Sequence, residues 1–109
     1  MRVHLIKRQS IEDFIERNSR SKVSFEDWLN KVKYVNWNKQ DIKMTFNTAD
    51  FLGNGSNRVV FDIGGNNYRL ICKCVFGATY VRLYICWIGT HADYTFLCKR
   101  GHQYSINQF

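Results

Sequence analysis

The sequence predicts an α+β domain: two N-terminal helices on a small antiparallel or mixed sheet. Residues 58–94 read as three consecutive alternating strands joined by two tight turns. Upstream, Ile11, Phe14 and Ile15, then Phe25, Trp28, Leu29 and Val32, fall at helical spacing. The 109 residues contain no proline and no low-complexity linker, so the chain reads as a single domain over 1–109.

In chain order, Arg2 to Ile6 has the alternation of a short first strand. Ser10 is the expected N-cap of the first helix, with Glu12 and Asp13 opposing the macrodipole. Asn18-Ser19-Arg20-Ser21 interrupts the pattern, and Ser21 is placed to cap the second helix. Residues 36–57 are less regular. A helical turn is expected over Asp41 to Phe46, and Gly53-Asn54-Gly55-Ser56-Asn57 is a loop that either folds over a bound chain or simply connects.

The hairpins follow from turn chemistry. Gly64-Gly65-Asn66-Asn67 tolerates positive φ, and closing there pairs Asp62 with Arg69, Val60 with Ile71 and Arg58 with Lys73. A second turn about Gly77-Ala78 pairs Lys73 with Arg82, Ile71 with Tyr84 and Arg69 with Cys86. Both registers send Val59, Phe61, Ile63, Leu70, Cys72, Val81, Leu83, Ile85 and Trp87 to a core face, and a one-residue slip would bury charges instead.

Arg58, Arg69, Lys73 and Arg82 then share the opposite face, with Tyr80 and Tyr84 offering rings for an unstacked base. Like charges facing each other across strands cost stability, so this grouping implies a phosphate or an acidic partner; Asp62 offsets Arg69 in the free chain. The whole chain agrees: Lys and Arg total 16 against 9 Asp and Glu, a formal charge of +7. Nucleic acid, an acidic protein or an anionic membrane surface fits that balance. Neither a signal peptide nor a stretch of membrane-spanning length is visible, so no membrane partner and a cytoplasmic location are expected.

His91 and Tyr94 follow the last strand, where functional groups commonly sit, and His serves as acid or base near neutral pH. No acidic metal cluster, nucleophile elbow or phosphate-cradling glycine loop accompanies them. Cys72, Cys74, Cys86 and Cys98 read as buried thiols; a zinc site from Cys72, Cys74, Cys98 and His102 has no Cys-x-x-Cys pair and irregular spacing. No metal and no cofactor is expected. RNA cleavage remains chemically available, because the 2′-hydroxyl can attack the adjacent phosphate when its proton is accepted and the departing oxygen is protonated.

The segment Asn57-Arg58-Val59-Val60-Phe61-Asp62-Ile63-Gly64-Gly65-Asn66-Asn67-Tyr68-Arg69-Leu70-Ile71, followed by Ile88-Gly89-Thr90-His91-Ala92-Asp93-Tyr94, resembles the HigB-type toxins of bacterial toxin–antitoxin modules, in the RelE-like group. Trp28-Leu29 and Asp41-Ile42-Lys43 share the likeness, which runs from about Val3 to Tyr94. The resemblance implies a RelE-like α+β fold, cleavage of mRNA either free or on the ribosome, and neutralisation by a HigA-like antitoxin with a helix-turn-helix domain. It implies Arg69, His91 and Tyr94 as site positions: His91 as general acid or base, Arg69 and Lys73 as phosphate stabilisers, Tyr94 for positioning or proton transfer. Arg58, Arg82 and Tyr84 are the expected RNA-binding residues. The alternative is a non-catalytic RNA- or protein-binding module using the same basic face. Residues 98–109 have no counterpart in the likeness; the tail either packs on the sheet, contacts RNA through Lys99, Arg100 and His102, or is disordered.

Overall fold

The computed structural model describes residues 2–109, in which the alternating segments join into one five-stranded sheet. Its strands are β1 (Arg2–Ile6), β2 (Asp50–Leu52), β3 (Arg58–Ile63), β4 (Tyr68–Phe76) and β5 (Tyr80–Thr90), in spatial order β1-β5-β4-β3-β2. β1 runs parallel to β5 and all other neighbours are antiparallel, so the sheet is mixed and the α+β class holds. The helices are α1 (Arg8–Arg17), α2 (Lys22–Tyr34), α3 (Lys39–Thr45) and α4 (His91–Lys99).

The first hairpin has the expected register: Arg58 faces Lys73, Val60 faces Ile71 and Asp62 faces Arg69. Gly64 and Gly65 turn the chain at φ 63° and 65°, a conformation that side chains resist. Gly64 has a second reason to lack a side chain, since a Cβ there would lie 3.0 Å from Ser24 Oγ on α2.

The second hairpin departs from expectation in two ways. Its turn is displaced one residue along the chain, with Gly77 N–H donating to Tyr80 O at 2.8 Å, and Lys73 therefore faces Tyr84 while Arg82 faces Val75. A shift of two positions preserves which face each side chain takes. A β-bulge does not. Ile71 pairs with Trp87 but Cys72 pairs with Ile85, leaving Cys86 as the extra residue. Beyond it the parity reverses, so Arg69 faces Gly89, and Trp87 joins the opposite face from the one expected.

Two apolar layers result. On one face α1 and α2 bury Ile11, Phe14, Phe25, Trp28, Leu29 and Val32 against Val59, Phe61, Leu70, Cys72, Leu83 and Ile85. Phe61 sits edge-on between Trp28 and Phe46, with ring centroids at 5.3 and 5.0 Å, an arrangement worth about 0.5–1.5 kcal/mol per pair beyond burial. On the other face Val60, Ile71, Cys86 and Trp87 are roofed by Leu97 of α4 and by Ile106. Burial keeps the core thiol Cys72 protonated well above its usual range and raises Cys74 to about 11.

Helix boundaries correct several expectations. α1 starts at Arg8 after Lys7 in the left-handed region, and Ser10 is buried inside the helix rather than capping it. Ser21 precedes α2, but its hydroxyl donates to Asn18 O at 2.6 Å instead of capping. α3 is longer than the expected turn and is capped by Asn38, whose side chain accepts from Asp41 N–H at 2.9 Å. Residues 98–109 form a packed tail: the end of α4, a 3₁₀ turn at His102–Tyr104, and a strap across the sheet. Gln108 N–H donates to Cys86 O at 2.8 Å, so the carbonyl of the bulged residue finds its partner in the tail. No helix among the described residues is long and apolar enough to cross a membrane.

Candidate functional site

α4 explains how His91 and Tyr94 reach the sheet. Thr90 closes β5 in extended conformation, and its hydroxyl accepts from Asp93 N–H at 3.2 Å, capping the helix that starts at His91. The backbone N–H of His91 donates to Asn67 O at 3.0 Å, which ties the start of α4 to the β3–β4 turn. His91, Tyr94, Thr95, Cys98 and Lys99 line, with Arg69, a depression of about 430 Å³.

Arg69 is the fixed point of this depression. It is only 7% exposed, and its guanidinium is held from four directions. Nε lies 2.9 Å from Asp62 Oδ1, and Nη1 donates to Tyr68 O at 3.0 Å. Nη2 donates to Asn66 Oδ1 at 2.6 Å and lies 2.9 Å from His91 Nδ1. Arginine has no acceptor, so His91 Nδ1 accepts and the ring proton resides on Nε2. His91 is therefore neutral in this arrangement and offers a donor. A guanidinium locked by a carboxylate, an amide and a carbonyl needs no reorganisation when negative charge develops beside it.

Tyr94 lies beside this pair with its ring 6.1 Å from Trp87. Burial, the neighbouring Cys98 thiol and the Asp50 carboxylate push its hydroxyl far above the usual tyrosine range, and Arg69 offsets only part of that. The phenol is a hydrogen-bond donor throughout the physiological range. Trp87 reaches this position because β5 has glycine two residues on: a Cβ at Gly89 would stand 2.5 Å from the indole carbons Cζ2 and Cη2.

The other expected site residues lie elsewhere. Lys73 is four positions along β4 from Arg69, ~13 Å away by strand rise, and lines a separate groove of about 430 Å³ with Lys7, Arg58, Tyr84, Ser105 and Asn107. Arg58 is not an exposed cation. It is 7% exposed, and its Nη1 donates to Ile106 O at 2.6 Å and Gln103 O at 3.3 Å, holding the tail. Arg82 is exposed and stands over the Tyr80 ring at 5.4 Å, donating to its hydroxyl at 3.0 Å. The single cationic face expected from alternation is thus two polar ends separated by a roofed apolar band. Among the described residues no cluster of His, Cys, Asp or Glu is placed to hold a metal ion.

Sequence reasoning missed one residue that orients Arg69 and left another without a place in the fold. Asn66 was read only as a turn residue, yet its side chain orients Arg69. Lys99 is expected, with Arg100 and His102, only as an RNA contact of a tail whose structure stays open, and of the three it alone lines the depression. The pattern Thr90-x-x-Asp93 signals a helix start and, read as such, would have carried α4 through Lys99.

A family model described as HigB_toxin, RelE-like toxic component of a toxin-antitoxin system, matches residues 21–97. The match begins after α1 and runs past Tyr94 to Leu97, so it includes β2 to β5, Arg69, His91 and Tyr94. No curated protein matches the chain.

Proposed function

Since the chain belongs to the HigB family of RelE-like toxins of toxin–antitoxin systems, we propose that it is an endoribonuclease cleaving mRNA at the Arg69–His91–Tyr94 depression. Membership implies an antitoxin partner; the finer reading is a HigA-like helix-turn-helix antitoxin and cytoplasmic action on mRNA, free or at the ribosome. The observation that carries the proposal is the Arg69 guanidinium, immobilised at 2.9 Å from His91 Nδ1 beside a protonated Tyr94.

The chemistry needs no metal. The ribose 2′-oxygen attacks the adjacent phosphorus, forming the P–O2′ bond while P–O5′ breaks, and the 2′-hydroxyl proton passes to solvent. Arg69 neutralises charge gathering on the non-bridging oxygens, helped by a hydrogen bond from Tyr94. The departing 5′-oxygen accepts a hydrogen bond from His91 Nε2–H and takes its proton from water, leaving a 2′,3′-cyclic phosphate and a 5′-hydroxyl. DNA lacks the nucleophile and is not cut. Lys73, Tyr84 and Arg82 serve binding of the flanking strand rather than the chemical step, and Arg58 supports that region through the tail.

A binding-only reading has one observation in its favour: Arg69 already spends most of its donors on Asp62, Asn66, Tyr68 and His91. Mapping transcript ends after brief expression separates the two. New 5′-hydroxyl ends that vanish with Arg69→Ala and His91→Ala support cleavage. Salt-sensitive RNA binding without new ends, with and without ribosomes, leaves the module non-catalytic.

A further inference from the structure

The family match ends at Leu97, but the depression does not. His91, Tyr94, Thr95, Cys98 and Lys99 recur at i, i+3, i+4, i+7 and i+8, one continuous stripe of α4. Leu97, off this stripe, is the buried residue of α4 that packs on the sheet, and Tyr94 leans partly buried on the same apolar cluster. The stripe therefore runs from the scissile end of the site along a helix whose back is anchored.

Lys99 closes that stripe as an exposed cation. The ion pairs among the described residues take Arg8, Lys22, Lys31 and Arg69, and none reaches Lys99. Its neighbour Arg100 is turned to a different wall, stacked 4.5 Å over the Phe96 ring. Asp62, lining no part of this depression, is held by Arg69. Eight residues at ~1.5 Å rise put the Lys99 backbone ~12 Å from that of His91, comparable to about two nucleotide steps of an extended strand. Lys73, the cation expected to assist Arg69, lies instead in a separate groove behind the roof of Leu97 and Ile106.

We propose that Lys99 forms a phosphate subsite for a flanking nucleotide of the RNA, and that the His91–Lys99 stripe is the track along which the strand leaves the scissile position. The inference rests on the ribonuclease reading and extends it: the chain selects strands long enough to place a second phosphate at the end of α4. A purely local role also suits a cation in the last turn of a helix, where it complements the macrodipole. That role predicts no dependence on substrate length.

Binding of uncleavable 2′-O-methyl oligonucleotides tests it, a dimer with one phosphate against a tetramer with three. Lys99→Ala is expected to weaken tetramer binding about five- to tenfold and to lower its salt slope by about 0.7, leaving the dimer unchanged. Lys99→Arg retains tetramer affinity, Lys33→Ala on the far layer alters neither, and Arg69→Ala weakens both. Equal weakening of dimer and tetramer by Lys99→Ala, or none of either, overturns the subsite. Failure of the ribonuclease reading registers separately, as unmodified RNA that binds but acquires no new ends.

Discussion

Arg69 and Lys73 stand four residues apart on one face of β4, yet they are held in opposite ways. Arg69 is buried, with its guanidinium engaged by Asp62, Asn66, Tyr68 and His91. Lys73 is exposed, faces Tyr84 and Arg58 across the strands, and forms no ion pair with any described residue. The first arrangement gives an oriented charge, suited to a transition state. The second gives a mobile one, suited to holding a phosphate that needs no exact placement. Alternation assigns both to the same surface; only their partners separate the jobs.

The largest effect should come from striking the oriented end. Arg69→Ala is expected to lower the cleavage rate at least ~10²-fold, and Arg69→Lys should not restore it, because an ammonium cannot hold Asp62, Asn66 and His91 at once. Lys73→Ala should leave kcat unchanged and weaken RNA binding, with a shallower salt dependence. Initial rates on an RNA with a mapped cut site decide this. Comparable loss of kcat in the Lys73 variant would abolish the distinction between the two ends.

Next in size is Gly89→Ala, which drives a methyl into the Trp87 indole. Overpacking should cost about 1–3 kcal/mol in a denaturant melt, and displacement of the ring supporting Tyr94 should slow cleavage about tenfold. A smaller ring makes room, so Trp87→Phe in the same chain should recover part of both losses. Arg58→Ala should then show the structural nature of the other buried guanidinium. A loss of about 1–3 kcal/mol is expected from unsatisfied carbonyls at Gln103 and Ile106, with kcat retained and the Gln108 amide losing hydrogen-exchange protection.

The effect with the least bearing on function is a pH dependence confined to alkaline conditions. Cys74 holds its proton to about 11 in the folded chain against 9.0 ordinarily. The unfolded chain therefore releases that proton first, and stability present below pH 9 declines as pH rises from 9 towards 11, by roughly 2 kcal/mol for this group. Cys74→Ala should flatten the decline in urea midpoints measured across that interval, although Cys72, shifted the same way, will keep part of it.

Much of this arrangement was legible from residue order. The Gly64-Gly65 turn and strict alternation on both sides set the β3–β4 register, which placed Asp62 opposite Arg69. The aromatic and aliphatic stripe of α2 likewise announced the face it buries. What failed had physical causes. Gly77-Ala78-Thr79 admits more than one closure between Phe76 and Tyr80, and alternation cannot register an extra residue, so the Cys86 bulge and the changed side of Trp87 were invisible. α4 presents a polar stripe to the depression and only Leu97 as a fully buried residue, so it carried little apolar periodicity. The role of Arg58 depended on the tail carbonyls it meets, partners 45 and 48 residues away in sequence.

Gly64 has a mechanical corollary. With no side chain between the hairpin tip and Ser24, the turn rests directly on α2, and two residues later Asn66 grips Arg69. A torque that tilted this helix would be delivered to the guanidinium through one short lever, with little compliance to absorb it. Enlarging Gly64 would lengthen that lever and detune the guanidinium from a distance, touching neither the imidazole nor the phenol.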